Sequence, residues 1–136
     1  MESSLIALAK YRLECCQDAI EDAKIMYEHG RFKNTLNRAY YAIFYAIRAV
    51  NATQSFDSSK HSGVIAFFNQ HYVKTGIFPK EASKIIKEAS ENRERADYLD
   101  FFIASKKDAE IQLAKAERFQ ALVTEYFKNK GIYKVK

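Results

Sequence analysis

NRAYYAIFYAIRAV, residues 37–50, decides the fold. Alanines recur through it, and both of its charged side chains, Arg38 and Arg48, are basic. Extended backwards, the apolar positions fall at Phe32, Leu36, Ala39, Tyr40, Ile43, Phe44, Ile47 and Val50. That three-four spacing, sustained for about five turns, marks an amphipathic helix with a wide buried stripe. The tyrosines set it apart from an ordinary core helix.

Outward from this helix the punctuation is sparse, with four glycines and one proline in 136 residues, which predicts few turns and long helices. Period-two alternation is missing. A first helix is expected over 4–28, with Leu5, Leu8, Ala9, Leu13, Cys16, Ile20, Ala23 and Tyr27 on one face, and His29-Gly30 ends it. The second runs over 32–53 after almost no loop, so the two form an antiparallel hairpin. The polar run 54–60 is the first real loop. A third helix follows from His61 to Val73, stopped by Lys74-Thr75-Gly76, and Pro79 in a first turn opens a fourth through Ala82, Ile85, Ile86 and Ala89. Residues 93–104 read ambiguously. Ser105-Lys106-Lys107-Asp108 has the form of a capping box, opening a last helix with Ala109, Leu113, Ala116, Phe119 or Gln120, Val123 and Phe127 inward.

The composition suits one domain: 136 residues at 48% hydrophobic content can bury a single core. Residues 1–128 are expected to form it, with 129–136, carrying Lys130, Lys134 and Lys136, as a basic tail. No run approaches the ~20 apolar residues of a membrane span. The start, Met-Glu-Ser-Ser, lacks the basic and apolar regions of a secretory signal. Cys15 and Cys16 are adjacent, point about 100° apart on a helix, and have no histidine beside them, so neither a disulfide nor a zinc site is expected. A reduced, cytoplasmic protein without membrane association is the plain reading.

The net charge of +5 is uneven. From His29 to Lys80 seven basic residues face one acid, Asp57, whereas the rest of the chain has 15 basic residues against 16 acidic. Such a segment is either a solvated helix face bridged to acidic helices or a surface for nucleic acid, nucleotide or an acidic partner. His61 is the histidine with a case for function, at a helix mouth beside Ser62 and Gly63; the alternative is a capping or interface role. His29 reads as a helix-end residue, and His71 as an edge position. Arg38 interrupts the buried stripe, and either snorkels from its flank or is held by tyrosine hydroxyls and a carboxylate.

Arg38-Ala39-Tyr40-Tyr41-Ala42, His61-Ser62-Gly63-Val64 and Ala96-Asp97-Tyr98, taken together, resemble the HEPN domain, in particular its small single-domain prokaryotic branch. The resemblance covers the chain from the first helix to Phe127. It implies an all-α, five-helix antiparallel bundle, with an up-and-down four-helix core plus a short helix, and a homodimer. It also implies work beside a small nucleotidyltransferase-domain protein in a toxin–antitoxin or defence pair. On the same ground Arg38 is expected to meet Asp97 in a polar knot. The candidate binding residues are Arg38, Tyr41, His61, Arg93, Arg95, Asp97 and Tyr98.

Many HEPN domains are metal-independent ribonucleases that carry an arginine followed four to six residues later by a histidine. The arginine steadies phosphate charge and the histidine moves a proton. Here Arg93 and Arg95 are followed by Asp97, Tyr98, Asp100 and Phe101, and no histidine occurs after His71. The first expectation is therefore a binding protein for nucleotide or RNA that does not catalyse alone and needs no cofactor or metal. The alternatives are a ribonuclease toxin using a non-standard Arg/His site built on His61, and a purely structural helical interaction protein.

Overall fold

The computed structural model describes residues 3–132. Lys134 and Lys136 of the expected basic tail lie outside the described residues. Five α-helices follow one another: α1 (Ser3–Glu28), α2 (Phe32–Ala52), α3 (His61–Phe68), α4 (Lys80–Tyr98) and α5 (Lys106–Asn129). No strand occurs among the described residues. The fold is all-α.

Helix α2 lies at the centre because its sequence permits neighbours on nearly every side. Ala39, Ala42, Ala46, Ala49 and Ala52 are buried, and so are Leu36, Tyr40, Ile43, Phe44, Ile47 and Val50. Small residues let α1, α3, α4 and α5 all pack against it. Beyond its first turn, where Phe32, Lys33 and Asn34 are partly or fully exposed, one stripe escapes full burial: Asn37, Arg38, Tyr41, Tyr45 and Arg48, about one turn apart.

The turns follow the chemistry expected of them. Gly30, at φ +73°, closes α1, and Arg31 N–H bonds back to the Met26 carbonyl at 2.8 Å in a Schellman turn. Ser105 caps α5, its Oγ accepting the Asp108 backbone N–H at 3.0 Å.

Several expectations need correction. The third helix does not stay α to Val73: residues Asn69–Val73 form a π-helical turn. Pro79 sits just before α4, in extended conformation, rather than in its first turn. The ambiguous stretch resolves into α4 continuing to Tyr98, followed by an irregular loop. On α1, Ala9, Leu13, Cys16, Ile20 and Ala23 are buried as read, but Leu8 is exposed and Arg12 takes a core position at 8% exposure. On α5, Ala109, Ala116, Phe119, Val123 and Phe127 are buried as read, but the remaining buried position is Gln112, and Leu113 and Gln120 are only half-buried.

No helix among the described residues is long and apolar enough to cross a membrane.

Candidate functional site around His61

His61 opens α3, which is fastened to α2 by a buried hydrogen bond from Asn51 Nδ2 to the Val64 carbonyl at 3.0 Å. The preceding loop closes tightly over this start. A methyl group at position 63 would meet Ser58 Oγ at 2.8 Å, so the glycine of His-Ser-Gly-Val makes room for the loop. The imidazole lies on Phe44 with ring centres 4.1 Å apart, and Tyr40 OH is 2.9 Å from its Nδ1. Arg93 of α4 approaches the same nitrogen with NH1 at 3.4 Å.

The Arg93 contact favours one tautomer. A guanidinium only donates, so Nδ1 is the acceptor, its one lone pair taken by the Tyr40 hydroxyl at 2.9 Å with Arg93 at the longer 3.4 Å, and the proton of the neutral ring is on Nε2. Burial, then the positive charges of Arg93 and Arg48, lower the His61 pKa below its ordinary value, so the ring is neutral near pH 7. A neutral Nε2–H is a hydrogen-bond donor. For Nε2 to act as a base, a proton must first move to Nδ1, which would set that nitrogen's N–H against the Arg93 guanidinium.

Arg93 is held by rings as much as by charge. Its guanidinium lies 4.8 Å from the Tyr40 ring centre and 5.5 Å from that of Tyr41, cation–π distances. Nε is 3.3 Å from Asp97 Oδ2, one turn along α4. That contact is an ion pair without hydrogen-bond alignment, and the Arg93 Nε–H has no acceptor. Burial opposes the charge of Arg93, but Tyr41, Tyr40 and Asp97 outweigh it and hold its pKa above the ordinary value.

A second cluster sits on the other side of His61. Arg12 NH2 and Arg48 NH2 both donate to Asp57 Oδ2, at 3.1 and 2.9 Å, and Asp57 Oδ1 accepts the Ser58 backbone N–H at 2.8 Å. Arg12 NH1 also donates to the Arg48 carbonyl at 3.1 Å. Burial pushes the Asp57 pKa up, yet the Ser58 N–H and the two guanidiniums overcome this and hold it below the usual range. One carboxylate thus ties α1, α2 and the loop before α3 together.

Five of the seven residues singled out by sequence meet here: Tyr41, His61, Arg93 and Asp97 directly, and Arg38 through the Tyr41 ring, 5.0 Å from its guanidinium. The Arg38–Asp97 knot does not form. Arg38 donates Nε and NH2 to Asn37 Oδ1, at 3.1 and 2.8 Å, while Asp97 belongs to Arg93. Arg95, two residues past Arg93 and so about 200° around the helix, bonds Asn92 Oδ1 at 2.7 Å and lines a different groove, with Asp108 and Gln112. Tyr98 stands exposed at the end of α4. Sequence reasoning missed Tyr40 and Phe44 as partners of His61, and missed Arg12, Arg48 and Asp57 altogether as a cluster. A signal for one pair was present, since Arg93 and Asp97 have i, i+4 spacing.

A family model described as HEPN domain matches residues 9–126. A UPF0332 protein of Thermotoga maritima is 33% identical over 112 residues, 82% of this chain and 85% of that protein. A Methanocaldococcus jannaschii protein named "Putative toxin" is 30% identical over 122 residues, 90% of this chain and 83% of its own length. A UPF0332 protein of Archaeoglobus fulgidus is 31% identical over 113 residues, 78% of this chain and 90% of that protein. With the match running from α1 almost to the end of α5, the chain belongs to the HEPN domain family.

Proposed function

We propose that this HEPN domain is the cytoplasmic, homodimeric toxin-side member of a toxin–antitoxin or defence pair. In this reading it works with a small nucleotidyltransferase and holds RNA or nucleotide through the face around Arg93 and His61, without catalysing a reaction alone. The observation that carries the binding role is the neutral His61 with Arg93 against it and Arg48 close by, beside the half-open stripe of α2 that also carries Arg38. Arginines so placed attract phosphate, and the Nε2–H of His61 adds a donor. Relatives that bear the name toxin support the biological setting.

RNA binding measured across a salt series tests this. Affinity is expected to fall steeply with salt, Arg93→Gln to weaken it and flatten the salt slope by about one charge, and Arg95→Gln to leave it unchanged. Absence of any Arg93-dependent binding would remove the proposal. Co-expression with a nucleotidyltransferase encoded beside this gene, followed by purification of a complex, tests the pairing.

The second reading, a ribonuclease toxin, draws on the Arg93–His61 contact at 3.4 Å, which brings together in space the residue types the usual motif supplies in sequence. Metal-free cleavage of RNA by the purified protein, abolished by His61→Ala with folding intact, would put it first. The tautomer argues against that outcome, because the nitrogen not already engaged is the one that carries the proton.

A further inference from the structure

Between His61 and the loop before α3 lies an open cleft of about 560 Å³, lined by Phe44, Arg48, Asp57, Ser58, Ser59 and His61. Its volume is in the range of small-ligand sites. We infer that this cleft is a site for a phosphate monoester, the terminal phosphate of a mononucleotide or of an RNA end. The inference rests on the binding role proposed above and assigns the ligand's charged group to a place.

The lining groups select for a ligand that presents only acceptors. Arg48 and the Ser58 and Ser59 hydroxyls supply donors, and so does the Nε2–H of His61. Arg48 lines the cleft with a side chain 28% exposed, and it spends one N–H on Asp57 out of the five that a guanidinium carries. The carboxylate on the wall is already committed: both Asp57 oxygens accept hydrogen bonds, one of them from two guanidiniums. Arg12 and Arg48 against Asp57 leave one surplus positive charge at the cleft. A monoester offers three non-bridging oxygens and up to two charges, where a chain-internal diester offers two oxygens and one charge. Phe44 gives the apolar surface on which a sugar or base can lie.

The test uses calorimetry in chloride buffer, with inorganic phosphate, AMP and adenosine as ligands, and one short RNA carrying either a 5′-phosphate or a 5′-hydroxyl. AMP and inorganic phosphate are expected to bind and adenosine not to bind. The 5′-phosphorylated RNA should bind about tenfold tighter than its hydroxyl twin, the size of one charged hydrogen bond. Arg48→Gln should erase that difference. Because Arg48 also supports Asp57, Ser59→Glu serves as the second variant: it changes an exposed side chain, preserves the fold, and should erase the same difference by placing a negative charge at the rim.

Arg93→Gln separates this inference from the one beneath it. It should weaken both RNAs equally and leave the tenfold ratio intact. Equal affinity for the two RNAs, with no binding of AMP, would overturn the cleft assignment while leaving Arg93-dependent binding standing. AMP binding without any Arg93-dependent RNA binding would instead uphold the cleft and overturn the wider RNA role. Binding of inorganic phosphate with no preference for the 5′-phosphate would overturn the monoester assignment.

Discussion

His61 is a titratable ring fixed between a tyrosine hydroxyl and a guanidinium, and its lowered pKa has a direct effect on stability. An unfolded chain protonates this histidine near 6.5, whereas the folded one holds out to lower pH, so between the two values the unfolded state binds more protons. Stability is therefore undiminished above pH 6.5, falls as pH drops through the window, and loses the whole contribution below the folded pKa. Thermal melts from pH 7.5 to 5 should show this decline, and His61→Gln should flatten it; an unchanged slope would mean the ring titrates as if exposed. The Asp57 effect lies lower, with stability lost as pH falls from 3.8 through its depressed folded value. Tyr40, buried at the centre of the same cluster, should cost about 3 to 5 kcal/mol when cut to alanine, by analogy with large aromatic truncations. A double-mutant cycle checks the ion pairing: Arg93 and Asp97 should couple, and Arg38 and Asp97 should add independently.

At the scale of the helix, what sequence revealed depended on the range of the interaction that decides it. The stripe from Leu36 to Val50 was legible because burial on α2 repeats every turn, and the Ser105 cap because it bonds a backbone N–H only three residues away. Ser105→Ala should accordingly lower stability by about 1 kcal/mol, measurable by denaturant unfolding, and a neutral result would show that the start of α5 is held by packing instead. Arg12 was not legible. An arginine on the apolar face of α1 looks like an error in the pattern until Asp57, 45 residues on, is placed beside it. The π-helical turn at Asn69–Val73 was hidden for a similar reason: a single inserted residue leaves the apolar spacing nearly unchanged. Arg95 was grouped with Arg93 because the two are neighbours in sequence, but two residues along a helix nearly reverse the direction of a side chain, and Arg95 faces a different groove. Gly63 belonged to a recognisable motif, but its cause, the close approach of Ser58, exists only once the loop is folded.

For the molecule as a whole, nineteen aromatic residues in 136 raise the question of where they are buried. Phe68, Phe78, Phe119, Phe127, Tyr40 and Tyr72 all disappear into one core, so the count of aromatics by itself requires no partner. The exposed apolar surface is concentrated instead at the end of α4 and in the loop after it, where Tyr98 is 76%, Phe101 99% and Ile103 87% exposed, with Leu99 among them. Phe101 even adopts φ +60°, a left-handed conformation that costs a non-glycine residue on the order of 1 kcal/mol. Water gives no return for holding a phenylalanine in that position; burial against a second surface would. The loop also continues directly from Asp97, which joins it to the Arg93 end of the site. In the homodimer we propose, a second copy covers this loop, and the two sites then lie near the shared interface. Sedimentation velocity across the micromolar range should find a dimer for the native chain. Phe101→Glu combined with Ile103→Glu should convert it to a monomer whose own helical content is unchanged, since neither side chain belongs to the core. A strict monomer before any substitution would remove the dimer. A dimer that survives both glutamates would place the interface elsewhere on the bundle.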